Sequence, residues 1–169
     1  MRMSMLITSI LFWLGLISNG LDADWQRNNY SAIEITSVAP HTDVLEVQKD
    51  LFANFTLTVD GFSHQKGTLR IAVFNSQYDY PDTPTFTQII RVEDTLVEWR
   101  VNNLAYGNYA IAVYHDANEN GELDTNILGI PTEKYGFSNG ARGKFGPATW
   151  EQAKFPVSHR LESHKITLE

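Results

Sequence analysis

The sequence predicts an all-β fold, a sandwich of about seven short strands joined by long loops. Apolar and polar residues alternate in several short segments, and clusters of glycine, proline, asparagine and aspartate separate these segments. After residue 20 we find no apolar period of a helix, apart from one turn expected over 149–154. The chain has no cysteine, which excludes disulfides, thiol catalysis and thiolate zinc sites, so its core depends on apolar packing.

The predicted strands follow one another from residue 52 to the end of the chain. Period-two alternation is clearest in 55–59 and 96–101, where every second residue is apolar. A loop is expected over 76–87, which contains two prolines and two aspartates. The predicted strands are 55–59, 69–74, 88–92, 96–101, 109–114, 155–157 and 166–168.

Tyr109 opens the fifth predicted strand, two residues after Gly107. This spacing resembles the tyrosine corner of Greek-key sandwiches, in which the phenol bonds back to the backbone a few residues upstream. The alternative is an ordinary glycine turn before a strand. With the corner, the prediction becomes a Greek-key β-sandwich of the immunoglobulin-like or transthyretin-like kind.

The N-terminus has the layout of a secretory signal peptide. Arg2 precedes an uncharged apolar run over 5–17, which is too short for a membrane span of about 20 residues. Ser18 and Gly20 supply the small residues of a cleavage site. We therefore predict a periplasmic or secreted protein, with an uncleaved N-terminal anchor as the alternative.

Three segments are expected: a signal peptide over 1–20, an N-terminal extension over 21–50 and the sandwich domain over 51–169. The formal net charge of −7 argues against a broad basic surface for nucleic acid. No transmembrane segment is expected in the mature chain.

A spacing typical of calcium loops follows the fifth predicted strand. Numbered from Asp116, oxygen-bearing side chains occupy positions 1, 3, 5 and 9, and glycine occupies position 6. Side chains at positions 1, 3 and 5 of a tight loop converge, and position 7 offers its backbone carbonyl. We predict a calcium site, the calcium ion being the expected cofactor. Its predicted ligands are Asp116, Asn118, Asn120, Glu122, Asp124 and Glu133.

The loop departs from an EF-hand in two respects. Position 12 is Ile127 instead of a bidentate glutamate, and no helices are expected on either side. Glu133 is the nearest carboxylate in sequence that would complete the site, with Asp79 or Asp82 as more distant candidates. The alternative is a metal-free turn, because Asx turns also favour aspartate, asparagine and glycine.

Residues 129–146 hold five of the chain's 11 glycines and are expected to form a long irregular loop. Tyr135, Phe137 and Phe145 interleave there with basic residues. One interpretation is a binding face for a glycan or an envelope partner. The other is that the aromatic rings pack over the end of the sandwich.

Catalytic motifs are not apparent, so the chain is expected to be non-enzymatic. There is no nucleophile elbow, and no histidine pair has zinc spacing. Only His115 adjoins a motif, which leaves a hydrolase using His115, Asp116 and Glu133 as a third hypothesis.

Two stretches, 106–124 and 128–139, resemble the domain-of-unknown-function family 2141 (DUF2141) of exported bacterial proteins. They begin Tyr-Gly-Asn-Tyr and Leu-Gly-Ile-Pro, and the resemblance extends over roughly 52–169. It implies a secreted or periplasmic β-sandwich of uncharacterised function and supplies no catalytic residues. The family's Asp-Asn-Asn-Gly loop falls on Asp116, Asn118, Asn120 and Gly121.

Overall fold

The computed structural model describes residues 51–169, so the predicted signal peptide (1–20) and extension (21–50) lie outside it. Eight strands and one short helix, α1 (Trp150–Ala153), are present in this part of the chain. The strands are β1 Phe52–Asp60, β2 Thr68–Phe74, β3 Phe86–Arg91, β4 Leu96–Ala105, β5 Gly107–Asp116, β6 Tyr135–Phe137, β7 Phe155–Val157 and β8 Leu161–Thr167. The all-β prediction is confirmed. None of residues 51–169 belongs to a helix with the length and apolar character needed to cross a membrane.

The strands form two sheets that the chain visits alternately. One sheet has the order β4-β1-β8, and the other has the order β3-β2-β5-β6, with β7 pairing with β5. β1 is antiparallel to β4 and parallel to β8, whereas β2 is antiparallel to both β3 and β5. The chain changes sheet after β1, β3, β4 and β7, and these crossings are those of a Greek-key sandwich.

The main core lies between the two sheets. β1 alternates strictly between buried and less buried positions, as its sequence predicts. Its buried side chains share one cluster with apolar residues of β2 and β5 from the other sheet. Representative members are Phe55, Leu57, Val59, Ile71, Val73, Ile111 and Val113. Apolar packing therefore holds the two sheets together in a chain that has no cysteine to form disulfides.

A second apolar cluster covers the outer face of the five-stranded sheet. Ala110 of β5 packs there with Phe137 and with Ala153 of α1. α1 begins with a capping box in which Thr149 and Gln152 exchange hydrogen bonds between side chain and backbone. β5 is consequently buried on both faces. β6 and β7 pair with it, and α1 packs against its outer face.

The prediction that 129–146 is one irregular loop is wrong in part. β6 and a 3₁₀ turn at Ser138–Gly140 lie inside this range. β6 has only three residues with Gly136 at its centre, too few for an alternation signal. Gly136 is needed because a Cβ there would lie 2.7 Å from Cγ2 of Ile166.

β8 begins five residues before the strand predicted over 166–168. Its first five residues alternate between exposed and partly buried, since this strand lies at the edge of its sheet. Because an edge strand is rich in polar residues, it lacks the alternation of apolar residues by which strands are predicted.

The tyrosine corner is present where β4 crosses to β5. The Tyr109 hydroxyl donates a hydrogen bond to the carbonyl oxygen of Ala105 at 2.9 Å. Its ring is 5% exposed, and burial raises the pKa of the Tyr109 phenol. The bond fixes the chain at the point where it leaves one sheet for the other.

We expect Tyr109→Phe to lower the free energy of unfolding by about 1 kcal/mol, because the Ala105 carbonyl loses its donor. Urea unfolding of the variant and the wild type measures the difference. Tyr78→Phe is the matched control, since Tyr78 is 99% exposed and should change stability little. An equal, negligible effect of both substitutions would contradict a stabilising corner.

Candidate functional site

The loop between β5 and β6, residues 117–134, lies at one end of the sandwich and carries the predicted metal ligands. It begins next to Asp116, which pairs with Thr68 at the start of β2. Asp79 and Asp82 follow the other end of β2, whose last residue pairs near the start of β5. The structure therefore places these two aspartates away from the β5–β6 loop.

Asp116 organises the first turn of the loop. One carboxylate oxygen accepts the backbone N–H of Asn120 at 3.1 Å, and the other accepts the N–H of Gly121 at 3.0 Å. The Asp116 side chain is fully buried. Gly121 has a φ of +89°, the left-handed conformation that favours glycine at this sharp turn.

Arg70 supplies the countercharge of this buried carboxylate. Its Nε lies 2.7 Å from Oδ2 of Asp116, and its side chain is only 22% exposed. Tyr114, opposite Arg70 on β5, donates its hydroxyl to the Gly121 carbonyl at 3.0 Å. Sequence reasoning missed Arg70, although a cation inside the apolar 69–74 strand is a signal of such a buried partner.

Three side chains at positions 3, 5 and 9 of the loop meet at one point. The side-chain amides of Asn118 and Asn120 donate to the two carboxylate oxygens of Asp124 at 2.7 and 3.0 Å. The oxygens of the same amides accept backbone N–H groups, from Asn120 at 3.0 Å and from Glu122 at 2.8 Å. These bonds form two successive Asx turns. Asn118 and Asn120 are exposed, so this point is open to solvent.

Glu133 joins the two arms of the loop. Its carboxylate accepts the N–H of Ala117 at 2.8 Å and that of Asp124 at 3.1 Å. The two bonds bring the start and the end of the loop together across 16 residues. Glu133 is therefore engaged with backbone amides in this structure.

Within residues 51–169, no three His, Asp or Glu side chains form a group that could hold a metal ion. Arg70 engages Asp116, and backbone amides engage Glu133. Position 12, Ile127, is fully exposed, and Glu122 points its charge towards solvent. Any cation here must draw mainly on amide and backbone oxygens together with Asp124.

The comparison with protein families decides which group the chain belongs to. A family model described as "Uncharacterized protein conserved in bacteria (DUF2141)" matches residues 57–165. The chain belongs to the DUF2141 family. The match runs from inside β1 to inside β8, so it includes both sheets and the β5–β6 loop. No curated protein and no solved structure was found to match the chain.

In this DUF2141 chain the three residues of the hydrolase hypothesis have separate partners. His115 is 1% exposed, and its Nε2 lies 2.6 Å from the carbonyl oxygen of Lys66. Its ring packs edge-on against Phe62 and His64. Because consecutive strand residues point to opposite faces, His115 and Asp116 lie on opposite sides of the sheet. The structure thus brings the three residues to one end of the sandwich but engages each in a different set of contacts.

Proposed function

We propose that this chain is an exported, non-enzymatic β-sandwich protein whose β5–β6 loop binds Ca²⁺. The observation that carries the calcium proposal is the convergence of Asn118, Asn120 and Asp124 on one solvent-open point. The export part of the proposal is supported by the sequence of residues 1–20. The non-enzymatic part is supported by the structural contacts of His115.

Rotation of two side-chain amides turns this point into an oxygen cage, at the cost of the two Asx-turn bonds. An asparagine amide carries its oxygen and its nitrogen at opposite corners, so a half-turn of the amide plane exchanges them. After that rotation, the oxygens of Asn118 and Asn120 face the carboxylate of Asp124. The backbone carbonyl of Glu122 supplies a further oxygen at position 7, as in calcium loops. An ion at this point replaces the two N–H bonds that Asp124 now accepts. The Asn120 N–H keeps Asp116 as an acceptor, whereas the Glu122 N–H turns to solvent.

Charge also supports a bound cation. Residues 116–133 contain five carboxylates and no lysine or arginine. Arg70 compensates Asp116, and Arg91 lies 3.9 Å from Glu119 at the surface. Glu122 and Asp124 remain on the exposed side of the loop or close to it, without a basic partner among residues 51–169. A divalent ion reduces their mutual repulsion and stiffens the loop. With so few carboxylates available as ligands, we expect a dissociation constant of about 10⁻⁴–10⁻³ M, as in extracellular modules.

We expect Ca²⁺ at about ten times its dissociation constant to stabilise the protein by about 1.4 kcal/mol, raising the melting temperature by about 3–6 °C. Asp124→Asn should abolish this rise. Glu122→Gln is the matched control, because it removes one negative charge but keeps the backbone carbonyl. Asp116 is a poor choice for this test, since its removal leaves Arg70 without a partner.

Calorimetric titration measures calcium binding, and thermal scans measure the rise in melting temperature. Both are carried out on the wild type, Asp124→Asn and Glu122→Gln. Equal calcium responses of Asp124→Asn and Glu122→Gln would indicate general screening of charge and would contradict a site. If about 10⁻² M Ca²⁺ left the melting temperature of the wild type unchanged, the proposal would be overturned.

A sugar-binding face is less well supported by the aromatic residues of 129–146. Phe137 is buried in the outer cluster, and Tyr135 packs against it with ring centroids 6.0 Å apart. Arg142 further covers the Tyr135 ring at 5.4 Å. Of the three aromatic residues in this segment, Phe145 alone is exposed, at 86%. Stacking on sugars needs open rings, so the geometry favours the ion over the glycan.

A further inference from the structure

The distal part of the β5–β6 loop forms a protruding apolar tip, which we define as residues 125–131. Thr125 and Pro131 pair at its base. The side chains of Ile127, Leu128 and Ile130 are 102%, 71% and 56% exposed. Residues 125–132 contain no charged side chain. Three adjacent aliphatic chains thus point into solvent from one turn.

Four backbone N–H groups of the apolar tip are bonded within the tip itself, those of Asn126, Leu128, Gly129 and Ile130. The N–H groups of Leu128 and Ile130 both donate to the side-chain oxygen of Asn126, at 2.9 and 3.1 Å. The Gly129 N–H donates to the Asn126 carbonyl, and the Asn126 N–H donates to the Ile130 carbonyl, each at 2.9 Å. In water, backbone groups left unbonded by the protein can bond to the solvent. In hydrocarbon each unpaired backbone group costs several kcal/mol, so these internal bonds lower the cost of insertion.

The apolar tip differs from the other exposed apolar residues. Within residues 51–169 the others lie in separate parts of the chain, and scattered residues of this kind are normal on protein surfaces. They are Leu51, Tyr78, Ile89, Leu96, Phe145 and Leu161. A convex tip offers no groove to a protein partner, whereas a bilayer accepts a protrusion without a matching shape. Asp124 and Glu133 flank the tip, which disfavours an anionic surface.

We propose that the apolar tip inserts into the surface of a lipid bilayer of zwitterionic composition. The hydrocarbon takes up the three aliphatic side chains, while the flanking carboxylates remain in water. Insertion of three side chains is weak and reversible, so it positions an exported protein at a membrane instead of anchoring it. This inference does not require the calcium ion proposed above.

The first experiment measures sedimentation of the full chain with phosphatidylcholine vesicles in the presence of EDTA. We expect Leu128→Ser to reduce vesicle partitioning about tenfold or more. Leu161→Ser is the matched control, because Leu161 is 76% exposed but pairs with the start of β1, at the opposite end of the sandwich. Both variants retain the apolar run over 5–17, so lipid binding by that run cancels in the comparison.

The second experiment observes the tip directly. Tryptophan emission from Ile127→Trp should shift to the blue with vesicles and be quenched by brominated phosphatidylcholine, beyond the change seen in Leu161→Trp. Equal partitioning of the two serine variants, or equal quenching of the two tryptophan variants, would overturn the inference. Loss of self-association in Leu128→Ser without any effect on vesicles would assign the tip to a protein contact and would also overturn it. Because EDTA removes calcium throughout, failure of the calcium proposal leaves this result unaffected.

Discussion

Replacing Arg70 with methionine is expected to lower the free energy of unfolding by about 3–5 kcal/mol, the cost of leaving a buried charge without its partner. Asp116 is fully buried and loses the guanidinium that lies 2.7 Å from its Oδ2. The two backbone N–H bonds from Asn120 and Gly121 remain but do not neutralise the charge. Denaturant unfolding measures the loss.

Arg91→Met is the control for removal of one positive charge close to the same loop. Its guanidinium is 67% exposed and lies 3.9 Å from the carboxylate of Glu119, so we expect a loss of about 0–1 kcal/mol. Similar losses of stability in Arg70→Met and Arg91→Met would contradict this prediction. They would show that the buried Arg70–Asp116 pair stabilises the protein no more than an exposed pair does.

Gly67→Ala is expected to destabilise the protein by about 2–5 kcal/mol, through backbone strain and overlap together. Gly67 has a φ of +79°, in the left-handed region. A Cβ there would overlap the carbonyl oxygen of Asp116 and lie 2.8 Å from Cα of Ala117. These are backbone atoms, which cannot rotate away, so the start of the β5–β6 loop must shift.

Gly140→Ala is the control that separates backbone strain from atomic overlap. Gly140 has a φ of +60°, but nothing lies within 4 Å of the position that a Cβ would take there. It should therefore show only the conformational cost of about 1–2 kcal/mol. Thermal or urea unfolding of both variants gives the difference, and equal losses would show that the approach of Gly67 to Asp116 is not rigid.

Local patterns in the sequence were sufficient for much of this fold. Alternation and turn residues identify a strand in seven of the eight places, because a strand with one buried face repeats every two residues. Tyr109 and Gly107 predict the corner because its bond spans only four residues. The spacing of Asp116, Asn118 and Asn120 predicts a tight oxygen-rich turn for the same local reason.

The tertiary structure decided which side chains contact one another across the fold. Arg70 and Asp116 are 46 residues apart, and only the pairing of β2 with β5 brings them together. Glu133 was predicted as a ligand from its position in the sequence, but its contacts with two backbone amides depend on how the loop closes. The sequence left Tyr135 and Phe137 open between an exposed binding face and rings packed on the sandwich, and only the pairing of β6 with β5 shows how they are placed.

Composition, period and turn chemistry therefore determined seven of the eight strands, the corner and the oxygen-rich turn by themselves. The register between distant strands decided which carboxylates are compensated, which aromatic rings are covered and which aliphatic tip is left exposed. Contacts of this kind join residues far apart in the chain, so no local pattern contains them.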